Sequence, residues 1–339
     1  MRARWRCHGK GAVVDFSLSS DQEALREGVR NFCEARLSMA DLRVLEQAGV
    51  DQALWAEFAE MGILGLRIPE AAGGVGLGMA EAVLVFEELG RCVAPGPLLW
   101  SHLAAGLVDG VDRGEVIVTG LDLRNDRGGP YTLEWLDLAD LLLVLSDEGV
   151  ELISSRDIVG KRVGSPLDPL TPVTRVEHLP PGEQAGDADL ARKLAIEGTA
   201  LVSAMMLGIA EASQELATAF AVERQQFGRA IGSFQAVKHI LADCFVRQEL
   251  ARASAYAAGV LLDESIDSRA ERTVSAASLI AEEAAMKNAR ACIQVHGGMG
   301  FTWENPSHLY LKRAWVLENT LARGVDRAER LAQQVAESV

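Results

Sequence analysis

The sequence predicts a mainly α-helical protein with a small β domain in its middle. Three observations carry that prediction. Apolar residues recur at helical spacing from Ser17 to about Leu107 and again from about Asp187 to the C-terminus. Between about Glu115 and Pro181 they fall instead into short runs divided by turn residues. The expected divisions are a disordered extension over 1–15, an N-terminal helical domain over 16–107, a truncated β domain over 108–186 and a helical bundle over 187–339.

In chain order, Ser19-Ser20-Asp21-Gln22-Glu23 offers an N-cap followed by acidic residues, which suit the positive end of a helix dipole. The periodic run Leu54, Trp55, Phe58, Met61, Ile63 stops among Gly62, Gly65 and Pro69, and Glu81–Leu89 forms another helix closed by Gly90. Strands are expected at Val116–Val118, Leu141–Leu145, Val150–Ile153 and Val173–Val176, with Asp147-Glu148-Gly149 as a hairpin turn. Beyond Asp187, Leu190, Leu194, Leu201, Met205 and Ile209 begin a long periodic stretch. A second runs from Val237 to Phe245 and a third from Leu279 to Ile293, which together suggest an antiparallel bundle.

A formal net charge of −15 argues against nucleic acid and against an anionic membrane surface, both of which are bound by excess Lys and Arg. The five cysteines, Cys7, Cys33, Cys92, Cys244 and Cys292, are scattered without a C-x-x-C pair. No disulfide framework or metal site is expected, and the thiols read as reduced in a cytoplasmic protein. No long apolar run follows the basic N-terminus, so no secretory signal is expected, and stretches such as Leu138–Leu145 are too short to cross a bilayer.

Three motifs invite functional readings. Gly73-Gly74-Val75-Gly76-Leu77-Gly78 superficially suits a dinucleotide loop, but it follows Ile68-Pro69-Glu70 at a helix end rather than a strand, so it reads as a plain loop. Gln294-Val295-His296-Gly297-Gly298-Met299-Gly300 closes a helix. A glycine C-cap accounts for one glycine; three within four residues also suit a backbone that admits an anion closely. Arg224-Gln225-Gln226-Phe227-Gly228-Arg229, with Phe234-Gln235 after it, lies between a helix ending near Gly228 and one beginning near Phe234. Its arginines suit either solvated helix ends or phosphate, and its aromatics suit either core or a stacked ring.

The order of these motifs, together with Met61-Gly62-Ile63-Leu64-Gly65-Leu66, Ile68-Pro69-Glu70 and Ala139-Asp140-Leu141, resembles the acyl-CoA dehydrogenase family. The resemblance implies an N-terminal helical domain, a middle β domain, a C-terminal four-helix bundle and FAD as cofactor. In the family, a carboxylate removes the α proton of an acyl-CoA while flavin takes the β hydrogen as hydride. By motif position, Arg224, Gln226, Phe227, Phe234, Gln235, Gln294, Gly297 and Gly298 would reach the FAD of a neighbouring subunit.

The family's Thr-Glu-Pro and Gly-Ser-Asp segments have no counterpart here, Gly164-Ser165 being followed by Pro166. No carboxylate stands where the family's base is expected, in Thr320-Leu321-Ala322-Arg323-Gly324 or at Gly198. Glu318 and Glu197 lie beside those positions and read as surface carboxylates, so no catalytic residue is assigned. That pattern resembles the short subunit of heteromeric actinobacterial enzymes, α2β2 assemblies acting on steroid-CoA esters of cholesterol catabolism. The resemblance implies a longer partner subunit carrying the catalytic Glu, an acyl-CoA substrate and an acceptor of the electron-transfer flavoprotein type. A homo-oligomer with a displaced base and a flavin-free scaffold are the alternatives.

Overall fold

Helices open the chain in the computed structural model, which describes residues 17–124, 128–321 and 324–337. The expected extension over 1–15 lies outside them. The first helices are α1 (Ser20–Arg36), α2 (Met39–Ala48), α3 (Gln52–Glu60), α4 (Met79–Arg91) and α5 (Leu98–Ala104). Ser19 caps α1, its hydroxyl accepting from the Gln22 amide while the Gln22 side chain accepts from the Ser19 amide. Ser38 and Asp41 repeat the device on α2. Trp55 and Phe58 of α3 are fully buried, and truncating either to Ala costs about 3–5 kcal/mol. Gly73–Gly78 forms a loop before α4, as expected.

Among the described residues the middle region holds seven strands: β1 (Val118–Asp122), β2 (Tyr131–Glu134), β3 (Leu141–Leu145), β4 (Val150–Ser154), β5 (Gly160–Arg162), β6 (Val173–Val176) and β7 (Glu183–Gly186). One sheet runs β1-β3-β4-β7, with β1 and β3 parallel, and the second runs β2-β6-β5. The β3–β4 hairpin turns at Asp147-Glu148-Gly149, where the Ser146 amide donates to the Gly149 carbonyl. The first strand starts at Val118 rather than Val116, because the Val116 amide still donates to the Gly110 carbonyl of the turn and the Ile117 amide donates to the Asp140 side chain rather than to a strand carbonyl. Strands β2, β5 and β7 were not expected from the sequence. The residues of β5, Gly160-Lys161-Arg162, are all exposed and carry no apolar alternation to betray a strand.

The rest is helical: α6 (Ala188–Glu223), α7 (Gln235–Glu264), α8 (Ser268–His296), α9 (Ser307–Leu317) and α10 (Gly324–Glu337). Between α6 and α7 lie two short strands, β8 (Gln225–Gln226) and β9 (Arg229–Ala230). Asp187 caps α6, which packs against α4, α7 and α8. It is long and apolar enough to cross a bilayer, yet 83% of its apolar window is buried within the protein, as befits a core helix. The crossing with α4 is close. A Cβ on Gly208 would sit 1.9 Å from the Glu87 carbonyl oxygen, and one on Gly90 2.0 Å from that of Met205.

Charges are buried where α1, α4, α6 and α7 meet. Arg30 donates to both oxygens of Glu88, at 2.9 and 2.7 Å, and the Tyr256 hydroxyl donates to Glu87 at 2.6 Å. Burial pushes the Glu87 carboxyl up to about 7, against the opposing pull of Tyr256 and Arg252. A second buried pair bolts the β region to the bundle. The Arg313 guanidinium donates to Asp168 at 2.6 Å and to the Ala94 carbonyl at 2.7 Å, so α9, the β5–β6 loop and the turn after α4 share one side chain.

Candidate functional site

Helix α6 ends five residues before the expected Gly228, and the reason is a two-residue hairpin. The Arg224 amide donates back to the Phe220 carbonyl, and the Ile231 amide donates to the Arg224 carbonyl, closing the base of β8 and β9. Phe227 and Gly228 turn the hairpin with φ of +54° and +77°, the pair of positive values a type I′ turn requires. For Gly228 this is free of strain. For Phe227 it costs roughly 1–2 kcal/mol, and the side chain is 93% exposed.

Around that turn the side chains are organised but uncommitted. Phe234 meets Phe227 edge to face at 6.2 Å and carries the Arg229 guanidinium over its ring at 4.1 Å. Arg224, Gln226 and Gln235 are exposed. Helix α7 begins at Gln235 without a side-chain cap, so its first amides point outward at the positive end of a 30-residue helix.

The glycine cluster arrives at the same end of the bundle. The Phe220 and His296 rings stack with centroids 4.2 Å apart, tying the last turns of α6 and α8 together. The three glycines prove to have different reasons. Gly297 is the C-cap of α8 at φ +61°. Gly300 lies against the Ile293 backbone, where a Cβ would come within 2.7 Å of the carbonyl oxygen. Gly298 has neither demand: its φ is ordinary and nothing stands within 4 Å of a Cβ built on it. The cap therefore explains one glycine and packing a second, leaving Gly298 as bare backbone facing outward. Gln294, Gly297 and Gly298 border an open cavity of about 360 Å³ that Arg290 and Phe301 also line. Arg290 was missed in the sequence, although its spacing of four from Gln294 puts both on one face of α8.

The residues fit a dinucleotide diphosphate. Arg224 and Arg229 would oppose its charge, the uncapped start of α7 and the bare Gly298 backbone would offer amides, and the exposed Phe227 ring would offer a stacking face.

Of the two positions where a base would stand, the one on α6 is closed. A side chain at 198 would meet Leu321 at 2.7 Å and Leu103 at 3.0 Å. Glu197, expected on the surface, is instead 4% exposed and accepts both Arg67 donors, at 2.9 and 2.7 Å. Its turn of α6 faces the N-terminal helices, which is why burial replaces exposure. Nearby His102 is also buried. Its Nδ1–H donates to the Ile63 carbonyl, and desolvation pushes the imidazole down to about 4. Glu318 is half-buried at the C-cap of α9, and Ala322 and Arg323 of the expected base segment lie outside the described residues.

Where the β region meets the bundle, Pro97, Glu134, Trp135, Met205 and Arg313 enclose only about 30 Å³, room for about one water. Gly164-Ser165-Pro166 lies in the β5–β6 loop, and the aspartate that follows it, Asp168, is committed to Arg313 and Thr171.

A helical N-terminal region, a small double-sheet middle and a long-helix bundle with a cationic, glycine-lined end make up the architecture that the resemblance to the flavin-dependent dehydrogenases implies. Comparison with known proteins gives the family. Residues 19–110 match the acyl-CoA dehydrogenase N-terminal domain, and residues 190–332 match the acyl-CoA dehydrogenase C-terminal domain. The chain belongs to the acyl-CoA dehydrogenase family of oxidoreductases. It is 31% identical over 324 residues to the acyl-CoA dehydrogenase IpdE2 of Mycolicibacterium smegmatis, covering 94% of this chain and 100% of that one. IpdE2 of Mycobacterium tuberculosis is likewise 31% identical, over 326 residues, covering 94% and 98%. Among solved structures, the ChsE4-ChsE5 complex from Mycobacterium tuberculosis matches with a TM-score of 0.84 and 27% identity over 96% of this chain and 99% of that one.

Proposed function

We propose that this chain is the subunit of a heteromeric acyl-CoA dehydrogenase that grips the diphosphate of FAD, while a longer subunit supplies the catalytic glutamate. Bound FAD supplies the hydride acceptor for α,β-dehydrogenation of an acyl-CoA, for which we propose a steroid side-chain ester. Arg224 neutralises phosphate, Gln226, Gln235 and Gln294 donate or accept at polar edges, and Phe227 and Phe234 shield the cofactor's flank from water. Gly297 and Gly298 let the diphosphate approach the backbone.

The observation that carries this reading is the contrast between an open cationic end and a closed interior. The end has exposed Arg224 and a bare Gly298, whereas the junction of β region and bundle holds about 30 Å³ and Glu197 is locked by Arg67. A ligand held at that end needs its reactive ring housed by another polypeptide. Exposed apolar side chains flank the same end, among them Phe227 at 93%, Phe301 at 79% and Val222 at 68%, in keeping with a surface that a partner covers. The likeness to a two-component structure, the ChsE4-ChsE5 complex, supports a heteromer, and the short-subunit pattern of missing motifs supports the steroid ester and the α2β2 stoichiometry.

The test is purification of the chain alone and with the neighbouring dehydrogenase subunit, with flavin content and turnover measured for each. The complex is expected to hold FAD and turn over, and the single chain to do neither. Arg224→Ala should weaken FAD retention by the complex about 10- to 100-fold, the loss of a charge-assisted contact. Stoichiometric flavin and turnover from the single chain would overturn the division of labour, and unchanged retention in Arg224→Ala would favour a flavin-free scaffold.

A further inference from the structure

Helices α1 and α4 lie side by side and run in the same direction. Gln22 donates to Glu81 at 2.7 Å and Arg30 to Glu88 at 2.9 and 2.7 Å, partners 59 and 58 positions apart along the chain. A nearly constant offset means that the two helices advance together. About eleven residues make three helical turns, so Cys33 shares the face of α1 that carries Gln22, and Cys92, the C-cap of α4, continues the face that carries Glu81. The register therefore sets the two sulfurs opposite each other, one turn beyond the Arg30–Glu88 pair and again 59 positions apart.

The side chains meet there as free thiols. Cys33 and Cys92 share a hydrogen bond, and that bond first, then burial, holds the Cys33 thiol well above its ordinary range. The Cys92 thiol in turn donates to the Leu89 carbonyl at 3.3 Å. Cys33 can therefore donate to Cys92 and Cys92 to the backbone, which fixes both sulfurs in place. Their exposures differ. Cys33 is 3% exposed in the core, whereas Cys92 is half-buried. The other two described cysteines, Cys244 and Cys292, are buried at 1% and 0%, so Cys92 is the one described cysteine that solvent reaches.

We propose that Cys33 and Cys92 form an oxidative modification site, converted by a hydroperoxide into a reversible disulfide that latches α1 to α4. In the first step the Cys92 sulfur attacks the peroxide, the O–O bond breaks, and Cys92 becomes a sulfenic acid. Its proton leaves on the departing oxygen, as water or an alcohol. In the second step the Cys33 sulfur displaces the sulfenic hydroxyl, which takes the Cys33 proton and leaves as water while the S–S bond forms. Two thiols lose two electrons in all, and one hydroperoxide gains them. One accessible sulfur and one sheltered partner suit a transient, sensing disulfide in a reducing compartment. The latch closes a long loop and so restrains the unfolded chain. The pair is independent of the flavin assignment.

The experiment treats the reduced full chain with hydrogen peroxide, blocks remaining thiols with N-ethylmaleimide and maps the peptides by mass spectrometry without reduction. A Cys33–Cys92 linked peptide is expected, abolished by dithiothreitol, and the linked chain should melt a few degrees higher. Cys33→Ser should stop at a Cys92 sulfenic acid that dimedone captures. Cys92→Ser should slow oxidation at Cys33 at least about tenfold, because burial shields that sulfur. Cys92 driven to sulfinic acid with no link to Cys33 would overturn the proposal. So would Cys33 oxidised equally fast with and without Cys92, a native chain that leaves both thiols unreacted, or a linked chain that melts no higher. The map of the unsubstituted chain decides even where a serine variant fails to fold, and circular dichroism identifies such a variant.

Discussion

The two ends of α6 treat functional-looking residues in opposite ways. Toward its N-terminal end, Glu197 sits beside the position of a possible base yet is buried and paired with Arg67, and Gly198 is packed under Leu103 and Leu321. At its C-terminal end, Arg224, Gln226 and Phe227 stand in the open and the uncapped start of α7 points outward beside them. Desolvated charges survive in a core only when partnered inside the same chain. Exposed arginines and a left-handed phenylalanine have no such internal return. The comparison teaches that the interior has been finished as structure, while the end has been left for something outside the chain.

Breaking the interior should produce the largest effect. Arg67→Ala leaves Glu197 buried without its partner and should destabilise the fold by about 3–5 kcal/mol, read as a fall in denaturation midpoint. Glu197→Gln should cost less and leave the turnover of the complex unchanged, since the carboxylate is engaged with Arg67. A large loss of kcat in that variant, at intact folding, would return Glu197 to the chemistry.

The glycine cluster offers a sharper contrast of intermediate size. Gly300→Ala should destabilise by about 1–3 kcal/mol, because its Cβ meets the Ile293 backbone. Gly298→Ala should shift stability by less than about 0.5 kcal/mol, since the position is open, while loosening FAD in the complex. Equal losses of stability in both would remove the distinction between packing and ligand glycines.

A smaller effect tests the buried carboxyl in the helix junction. Below about pH 4.5 Glu87 is neutral in folded and unfolded chains alike, and above that only the unfolded chain ionises until the folded group titrates near 7. Its raised value therefore withdraws stability as pH rises from about 4.5 to 7. Glu87→Gln should flatten that part of the stability profile, and an unchanged slope would show that burial leaves this carboxyl unperturbed.

Much of this was legible in the sequence because it is local. The Ser19–Gln22 cap, the β3–β4 hairpin and the long helices of the bundle follow from caps, turns and periodicity over a few residues. The burial of Glu197 was hidden because its partner Arg67 lies 130 residues away. The early end of α6 was hidden for another reason: Phe227 occupies a turn position whose usual signal is Asn or Gly.

The left-handed Phe227 has a consequence for engineering. Asparagine in front of Gly228 is the pairing such hairpins favour, so Phe227→Asn should make the isolated chain melt at a higher temperature. If the exposed ring serves a neighbour, that more heat-resistant chain will assemble poorly. Selecting variants for thermostability alone would then discard the very residue that makes the turn useful.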